Sequence, residues 1–397
     1  VSPQSEETAS LARDTATRGR RYPKTPEFGT HHCDRTGAPQ PAGPAPSHVA
    51  CGAALDPWHP FVHRRTTTLE AALPRCQDRA MSVIENSKLT VVGAGSVGAS
   101  VAYAALIRGS ARHVALYDIA AEKVEAEVLD LAHGTQFTGS SDITGGSDVS
   151  VAAGSHVVVI TAGAKQNPGQ TRTELAATNA AIIRDMMPKL LDVAPHAIYV
   201  IVTNPCDVLT VLAQEATGLP SRRIFASGTV LDTSRLRWKL AQRAGVATSS
   251  VHAWIVGEHG DTEFPLWSTA TIGSVPITEF DLPDGTRFDR EQLDAIAVDV
   301  RDAAYKVIKG KGATNYAIGL SSARIVEAIL RDEHAILPVS TVLQGFHGVD
   351  GMALSVPSIV SARGAVPLPG TPFSDAELTL LRRSADALTT VAGSLRD

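Results

Sequence analysis

A short apolar run at 89–92 leads straight into Gly93-Ala94-Gly95-Ser96-Val97-Gly98, and a helix-forming segment follows. Few arrangements restrict a fold more. A strand that ends on glycine, turns tightly and enters a helix puts unpaired N–H groups at the carboxyl end of a parallel sheet. Gly93 makes the turn, Gly95 lets the main chain approach a pyrophosphate, and Gly98 lets helix and strand pack closely. The helix start, with Ser96 and Val97, offers N–H groups and positive dipole character to the same phosphates. Alone, such a glycine motif is weak evidence. Its weight comes from a second apolar run, His113–Tyr117, followed at once by Asp118, twenty residues after Gly98. A carboxylate at that place accepts hydrogen bonds from the adenosine ribose and repels a 2′-phosphate, so NAD is favoured over NADP.

Further apolar runs at 156–161 and 197–203 alternate with segments of helical character such as 120–133. Buried strands alternating with helices predict an α/β chain. The expected fold is a Rossmann doubly wound parallel sheet over 81–227, which binds NAD, followed by a mixed α/β substrate domain over 228–397. In the second half the alternation loosens. The spacing of Leu293, Ile296, Val300, Ala304 and Val307 predicts one long helix over 288–310. A capping-box pattern, Ser374 to Glu377, predicts the start of a last helix, with Leu378, Leu381, Ala385 and Leu388 as its buried stripe.

Residues 1–80 differ from all of this. They hold ten of the 23 prolines and carry a net charge of +2, against −5 for the whole chain. Runs such as 39–46 suit neither a helix nor a central strand. A disordered extension is expected there, or an upstream stretch preceding a true start at Met81. His31 and His32 beside Cys33 read as part of a solvated tail. The four cysteines form no CxxC pair, which argues against a disulfide framework and a zinc site and favours a reducing, cytoplasmic setting. No metal is expected. The modest negative charge has no basic stripe, so nucleic acid is not the expected partner. No apolar run is long enough for a membrane span, and the first residues lack the pattern of a secretory signal.

Three polar segments carry candidate chemistry. His259 stands among glycines in Gly257-Glu258-His259-Gly260-Asp261. Asp232 and Arg235, three apart, share one face if helical. A Gly- and Pro-bearing stretch from Gly163 through Gln166 to Arg172 follows a strand, where mobile loops are common. Together with Thr203-Asn204-Pro205, these motifs match the lactate/malate dehydrogenase family in order and spacing, and the chain resembles that family from about Lys88 to Leu395.

The resemblance implies hydride transfer between (S)-lactate and NAD, giving pyruvate and NADH. His259 is then the general base, and Asp232 holds its other ring N–H. Arg235 grips the substrate carboxylate through paired charge-assisted bonds. Arg172 polarises the reacting carbonyl, Asn204 hydrogen-bonds near the same oxygen, and Thr314 lines the pocket. Gly163 and Asn204 join the glycine turn and Asp118 in binding NAD. At the position matching Gln166, the family's malate enzymes usually carry arginine, so neutral Gln166 favours lactate. Arg237 and His252 match positions that bind fructose 1,6-bisphosphate in allosteric bacterial members, and a homotetramer is the usual state. Phe346-His347 depart from the family, which often has tyrosine just before the glycine matching Gly348. The rival readings are a malate or broader 2-hydroxy acid dehydrogenase, and a catalytically inactive NAD-binding module.

Overall fold

Strands and helices alternate through the first half in the order β1 (Lys88–Val92), α1 (Ser96–Arg108), β2 (His113–Tyr117), α2 (Ala121–His133), β3 (Asp142–Gly146), β4 (Val157–Ile160), α3 (Arg172–Val193), β5 (Ile198–Ile201), α4 (Cys206–Thr217), β6 (Ile224–Ala226) and α5 (Val230–Ala244). The computed structural model describes Ile84 and residues 86–164 and 172–396, apart from the side chains of Arg172 and Thr173. The expectation for residues 1–80, that for Gln166 and the side-chain role of Arg172 therefore lie outside the described residues.

The central strands are Val- and Ile-rich without polar alternation because both faces are covered. On β4, Val157 and Val159 join the core beneath α1, whereas Val158 and Ile160 join the core beneath α3 and α4. β1 to β6 are parallel in the order β3-β2-β1-β4-β5-β6. The chain runs outward from β1 on one side and then returns to build the other. The β1/β4 junction is thus the point where strand order reverses, and ligands bind at such a crevice in open α/β sheets. Val92 pairs with both Tyr117 and Ile160. The strands end in register, which brings Gly93, Asp118 and Thr161 to one rim. β3 and β6 are elements the hydrophobic pattern did not reveal. β3, Asp-Ile-Thr-Gly-Gly, is an edge strand with Ile143 as its only buried residue, and β6 has three residues.

The second half contributes β7 (Val251–His252), β8 (Ile255–Val256), β9 (Phe264–Pro265), β10 (Thr271–Ile272), β11 (Val275–Pro276), α6 (Arg290–Arg301), α7 (Ala303–Lys311), α8 (Tyr316–Leu330), β12 (Ala335–Val342), β13 (Ala353–Ser361), β14 (Gly364–Pro367) and α9 (Asp375–Arg396). β12, β13 and β14 extend the parallel sheet antiparallel, through Ser340 against Ala226. The sheet therefore has nine strands among the described residues. The short strands form two small sheets, and β7 and β10 pack with α5 and α6 around Leu236, Leu240, Ile255 and Val300.

The long helix expected over 288–310 is two helices, broken at Asp302. Leu293 and Val300 are buried, but Val307 is 39% exposed. Full burial of the apolar stripe ends at Val300, two residues before the break at Asp302. The capping box of α9 forms: the Ser374 N–H and hydroxyl each donate to Glu377 Oε2 at 2.8 Å, and the Glu377 N–H donates to Ser374 Oγ at 3.4 Å. Phe346 and His347 pack edge-on against each other and against Phe373, which accommodates the departure from the family at this place. No helix among the described residues is long and apolar enough to cross a membrane.

Candidate active site

Three segments that each leave a strand meet beside the carboxyl end of the sheet. They are 203–207 between β5 and α4, 227–235 between β6 and the first turns of α5, and 257–263 between β8 and β9. The last is clamped at its start. Gly257 exchanges two 2.9 Å main-chain hydrogen bonds with Ser355 of β13. Its φ is +92°, and a Cβ there would stand 2.8 Å from Ser384 Oγ, so only glycine fits.

Two residues later, His259 Nδ1 lies 2.7 Å from Asp232 Oδ2. Asp232 is buried in the first turn of α5. Its other oxygen accepts from Arg235 Nη1 at 2.6 Å. The three-residue spacing expected to put Asp232 and Arg235 on one helix face does so. Burial opposes the Asp232 charge, but His259 and Arg235 outweigh it and hold the carboxyl below the usual carboxylate range. Burial likewise disfavours a charged His259. Asp232 first, then Asp207 and Glu263, reverse that and raise the imidazole to about 9.

Two acids that sequence reasoning missed complete the cluster. Asp207, in the first turn of α4, is buried and accepts the His259 N–H through Oδ2 at 2.7 Å. Its only sequence signal was a place two residues after Pro205. Glu263 brings a donor atom within 4.8 Å of those of Asp232 and His259. Its Oε1 is buried and has no hydrogen-bond partner among the described residues. Burial and the Asp232 charge push its carboxyl up to about 9.

Asn204 sits in the 203–207 segment between β5 and α4, where its main-chain carbonyl accepts from Asn179 Nδ2 at 2.8 Å. Asn179, buried on α3, also accepts the Ala164 N–H through Oδ1 at 2.8 Å. One amide thereby ties the chain after Gly163 to Asn204. The hydrophobic pattern could not mark it, because a lone Asn in a helix reads as surface. Thr314 is half-buried in the link between α7 and α8.

Across the rim, Asp118 Oδ2 accepts the Ala94 N–H at 2.7 Å, which sets the carboxylate against the glycine turn. Gly93 has φ +103°, and a Cβ there would meet the Ala162 main chain at 2.7 Å. Among the described residues, no side chain caps the N-terminus of α1, and nothing lies within 4 Å of a Cβ built on Gly95. Open space over uncapped N–H groups, with a carboxylate one strand away, fits a dinucleotide whose pyrophosphate meets the helix and whose ribose meets Asp118.

Arg237 lies on α5 and His252 on β7. Arg237 stacks 4.3 Å over the Trp254 ring and donates Nε to the Ala253 carbonyl at 2.9 Å. His252 is exposed on β7, adjacent to Ala253. Arg237 thus reaches the main chain one residue after His252.

Comparison with known proteins agrees in both halves. Residues 87–226 match the family model described as lactate/malate dehydrogenase, NAD binding domain. Residues 229–393 match that described as lactate/malate dehydrogenase, alpha/beta C-terminal domain. The chain is 50% identical over 308 residues to an L-lactate dehydrogenase of Bifidobacterium animalis subsp. lactis, covering 77% of this chain and 96% of that one. It is 44% identical over 304 residues to an L-lactate dehydrogenase of Kosmotoga olearia, covering 76% and 94%. Among solved structures, a minor L-lactate dehydrogenase from Enterococcus mundtii in a ligands-bound form superposes with a TM-score of 0.75 at 38% identity, covering 78% of this chain and 98% of that chain.

Proposed function

The chain belongs to the lactate/malate dehydrogenase family, and from that premise we propose that it interconverts (S)-lactate and pyruvate, as an NAD-dependent L-lactate dehydrogenase serving fermentative redox balance. The observation that carries the reading is the 2.7 Å contact of His259 with an Asp232 that also binds Arg235.

NAD, when bound, accepts or supplies the hydride. The rest is the work of side chains. With Nδ1–H donated to Asp232, the imidazole presents Nε2 to the substrate oxygen. In pyruvate reduction, imidazolium donates that proton as the alkoxide forms. In lactate oxidation, neutral imidazole removes it. Asp232 fixes the ring and stabilises the imidazolium. Arg235 turns the rest of its fork of N–H groups to the substrate carboxylate, which aligns the reacting carbon. Arg172 polarises the carbonyl, Asn204 holds the same oxygen and Thr314 bounds the pocket. Gly93, Gly95, Ser96, Val97, Gly98, Asp118, Gly163 and Asn204 bind the dinucleotide. We assign that binding to 81–227 and the substrate chemistry to 228–397, although β12 to β14 of the second part complete the sheet of the first.

A pH dependence follows from the His259 value of about 9. Pyruvate reduction needs the protonated ring. Its kcat/KM is flat through neutrality and falls above about pH 9, approaching about tenfold per unit. Lactate oxidation needs the neutral ring, so its kcat/KM rises over the same range. Initial rates in both directions across this range test the assignment. A pyruvate limb that rises with pH would contradict it.

Gln166 is proposed to select lactate over malate. A second substrate carboxylate would meet a neutral side chain in a water-poor site, and an unpaired charge there is costly. Arg237 and His252 are proposed to bind fructose 1,6-bisphosphate in a homotetramer. The bond of Arg237 to the carbonyl one residue after His252 supports this, as does the suitability of Arg for phosphate. The effector should lower the pyruvate concentration at half-saturation by about five- to 150-fold, and Arg237→Ala should abolish that shift. A saturation curve unmoved by the sugar bisphosphate at mildly acidic and mildly alkaline pH would end the effector reading.

A further inference from the structure

We propose that Asp207 is a positioning residue for proton transfer: its buried carboxylate holds the main chain of His259 against α4 and adds a second negative charge behind the imidazole. The inference rests on His259 being the proton-transfer residue.

The geometry is specific. Asp207 is 2% exposed, and its Oδ2 accepts the His259 N–H at 2.7 Å. Oδ1 lies 3.9 Å from Cys206 Sγ, a weak donor. Asn204, only three residues earlier, heads the same segment. One short stretch thus supplies both the amide proposed to face the substrate oxygen and the acceptor that fixes the proton-transfer loop. A movement of α4 would carry the two together, and the bond sets their separation.

The charge itself needs a reason. Burying a carboxylate is costly, and a neutral amide of the same shape would accept the same N–H at less cost. Asp232 already orients the imidazole from Nδ1. What Asp207 adds is a second charge felt by the ring, and the imidazole responds to Asp232, Asp207 and Glu263 in that order. The groups around Asp207 are the Ser340 side chain of β12, which favours the ionised form more than any other neighbour, His259 and Glu258 from the loop after β8, and Cys206 on its own helix, on which Asp232 of α5 also acts. Burial pushes Asp207 up to about 6, so it is ionised through the range in which His259 turns over protons.

The test compares the pyruvate pH profile of the wild type with those of Asp207→Asn and Asp207→Ser. Both variants keep an acceptor and remove the charge. The alkaline limb should move to lower pH by about half a unit to one unit. The kcat should drop by about tenfold, with NADH affinity unchanged. An alkaline limb that coincides with that of the wild type overturns the proposal, whatever happens to kcat, because a merely structural role would not move it. Should neither variant fold, nitrogen NMR of His259 in the wild-type protein decides. Its ring signals should show a second inflection near pH 6, as Asp207 takes its proton. A single inflection would overturn the role. A wild type unable to reduce pyruvate would instead overturn the reading on which this one rests.

Discussion

Asp232→Asn should lower kcat for pyruvate reduction by about two to four orders of magnitude while leaving NADH affinity within about twofold of wild type. The carboxylate has two tasks here. It accepts the His259 Nδ1–H at 2.7 Å and the Arg235 guanidinium at 2.6 Å. An amide turned to donate to Nδ1 would leave a neutral ring protonated only at Nε2. Donation from that ring would generate an imidazolate, which is inaccessible near neutral pH. An amide turned to accept would keep the geometry but lose the Coulomb attraction that offsets burial of the imidazolium, and the ring would be largely neutral at pH 7. Either orientation removes the proton donor. Arg235 loses its anionic partner at the same time, so KM for pyruvate should rise as well. Stopped-flow turnover with NADH fluorescence titration separates these effects. A variant within tenfold of wild type in kcat would show that another group moves the proton.

Gln166→Arg should shift the ratio of kcat/KM for oxaloacetate over pyruvate by about a thousandfold, through a gain on the first and a loss on the second. Oxaloacetate differs from pyruvate by a second carboxylate in place of a hydrogen on the methyl group. A neutral amide leaves that charge unpaired when the site excludes water, whereas a guanidinium pairs with it bidentately. With pyruvate as substrate the balance reverses, because the guanidinium is then the unpaired charge. A ratio unchanged within threefold would remove Gln166 from the specificity argument and leave the apolar pocket as the discriminator. Such pockets distinguish poorly, by about 1–3 kcal/mol per methylene.

Much of the fold was legible because its signals are local. The run into Gly93, the acid at 118 and the capping box at Ser374 each concern residues adjacent along the chain, and each has its counterpart in the structure. What stayed hidden depends on partners distant in sequence. β3 is a strand because β2 lies beside it, not because Asp-Ile-Thr-Gly-Gly favours extension. The antiparallel strands β12 to β14 carry the same apolar texture as parallel ones, and only pairing with β6 reveals that one sheet spans both halves. The break at Asp302 is set by where burial stops, which the periodicity of 288–310 does not contain.

The site shows the same division. The three-residue spacing placed Asp232 and Arg235 on one helix face, and they lie there, but their roles and that of His259 came only from the resemblance to the family. Asp207, 52 residues from His259, and Asn179, 25 from Asn204, act through main-chain groups. Hydrogen bonds to the backbone leave no complementary residue type to look for. Glu263 is conspicuous only once its lack of a partner and the nearby Asp232 charge are known.

The most direct test of the central claim is NADH oxidation, followed by absorbance, with pyruvate and oxaloacetate supplied separately to the same preparation. The account predicts fast turnover of pyruvate, with kcat/KM at least about a hundredfold above that for oxaloacetate. Preference for oxaloacetate, or turnover of neither, would contradict it.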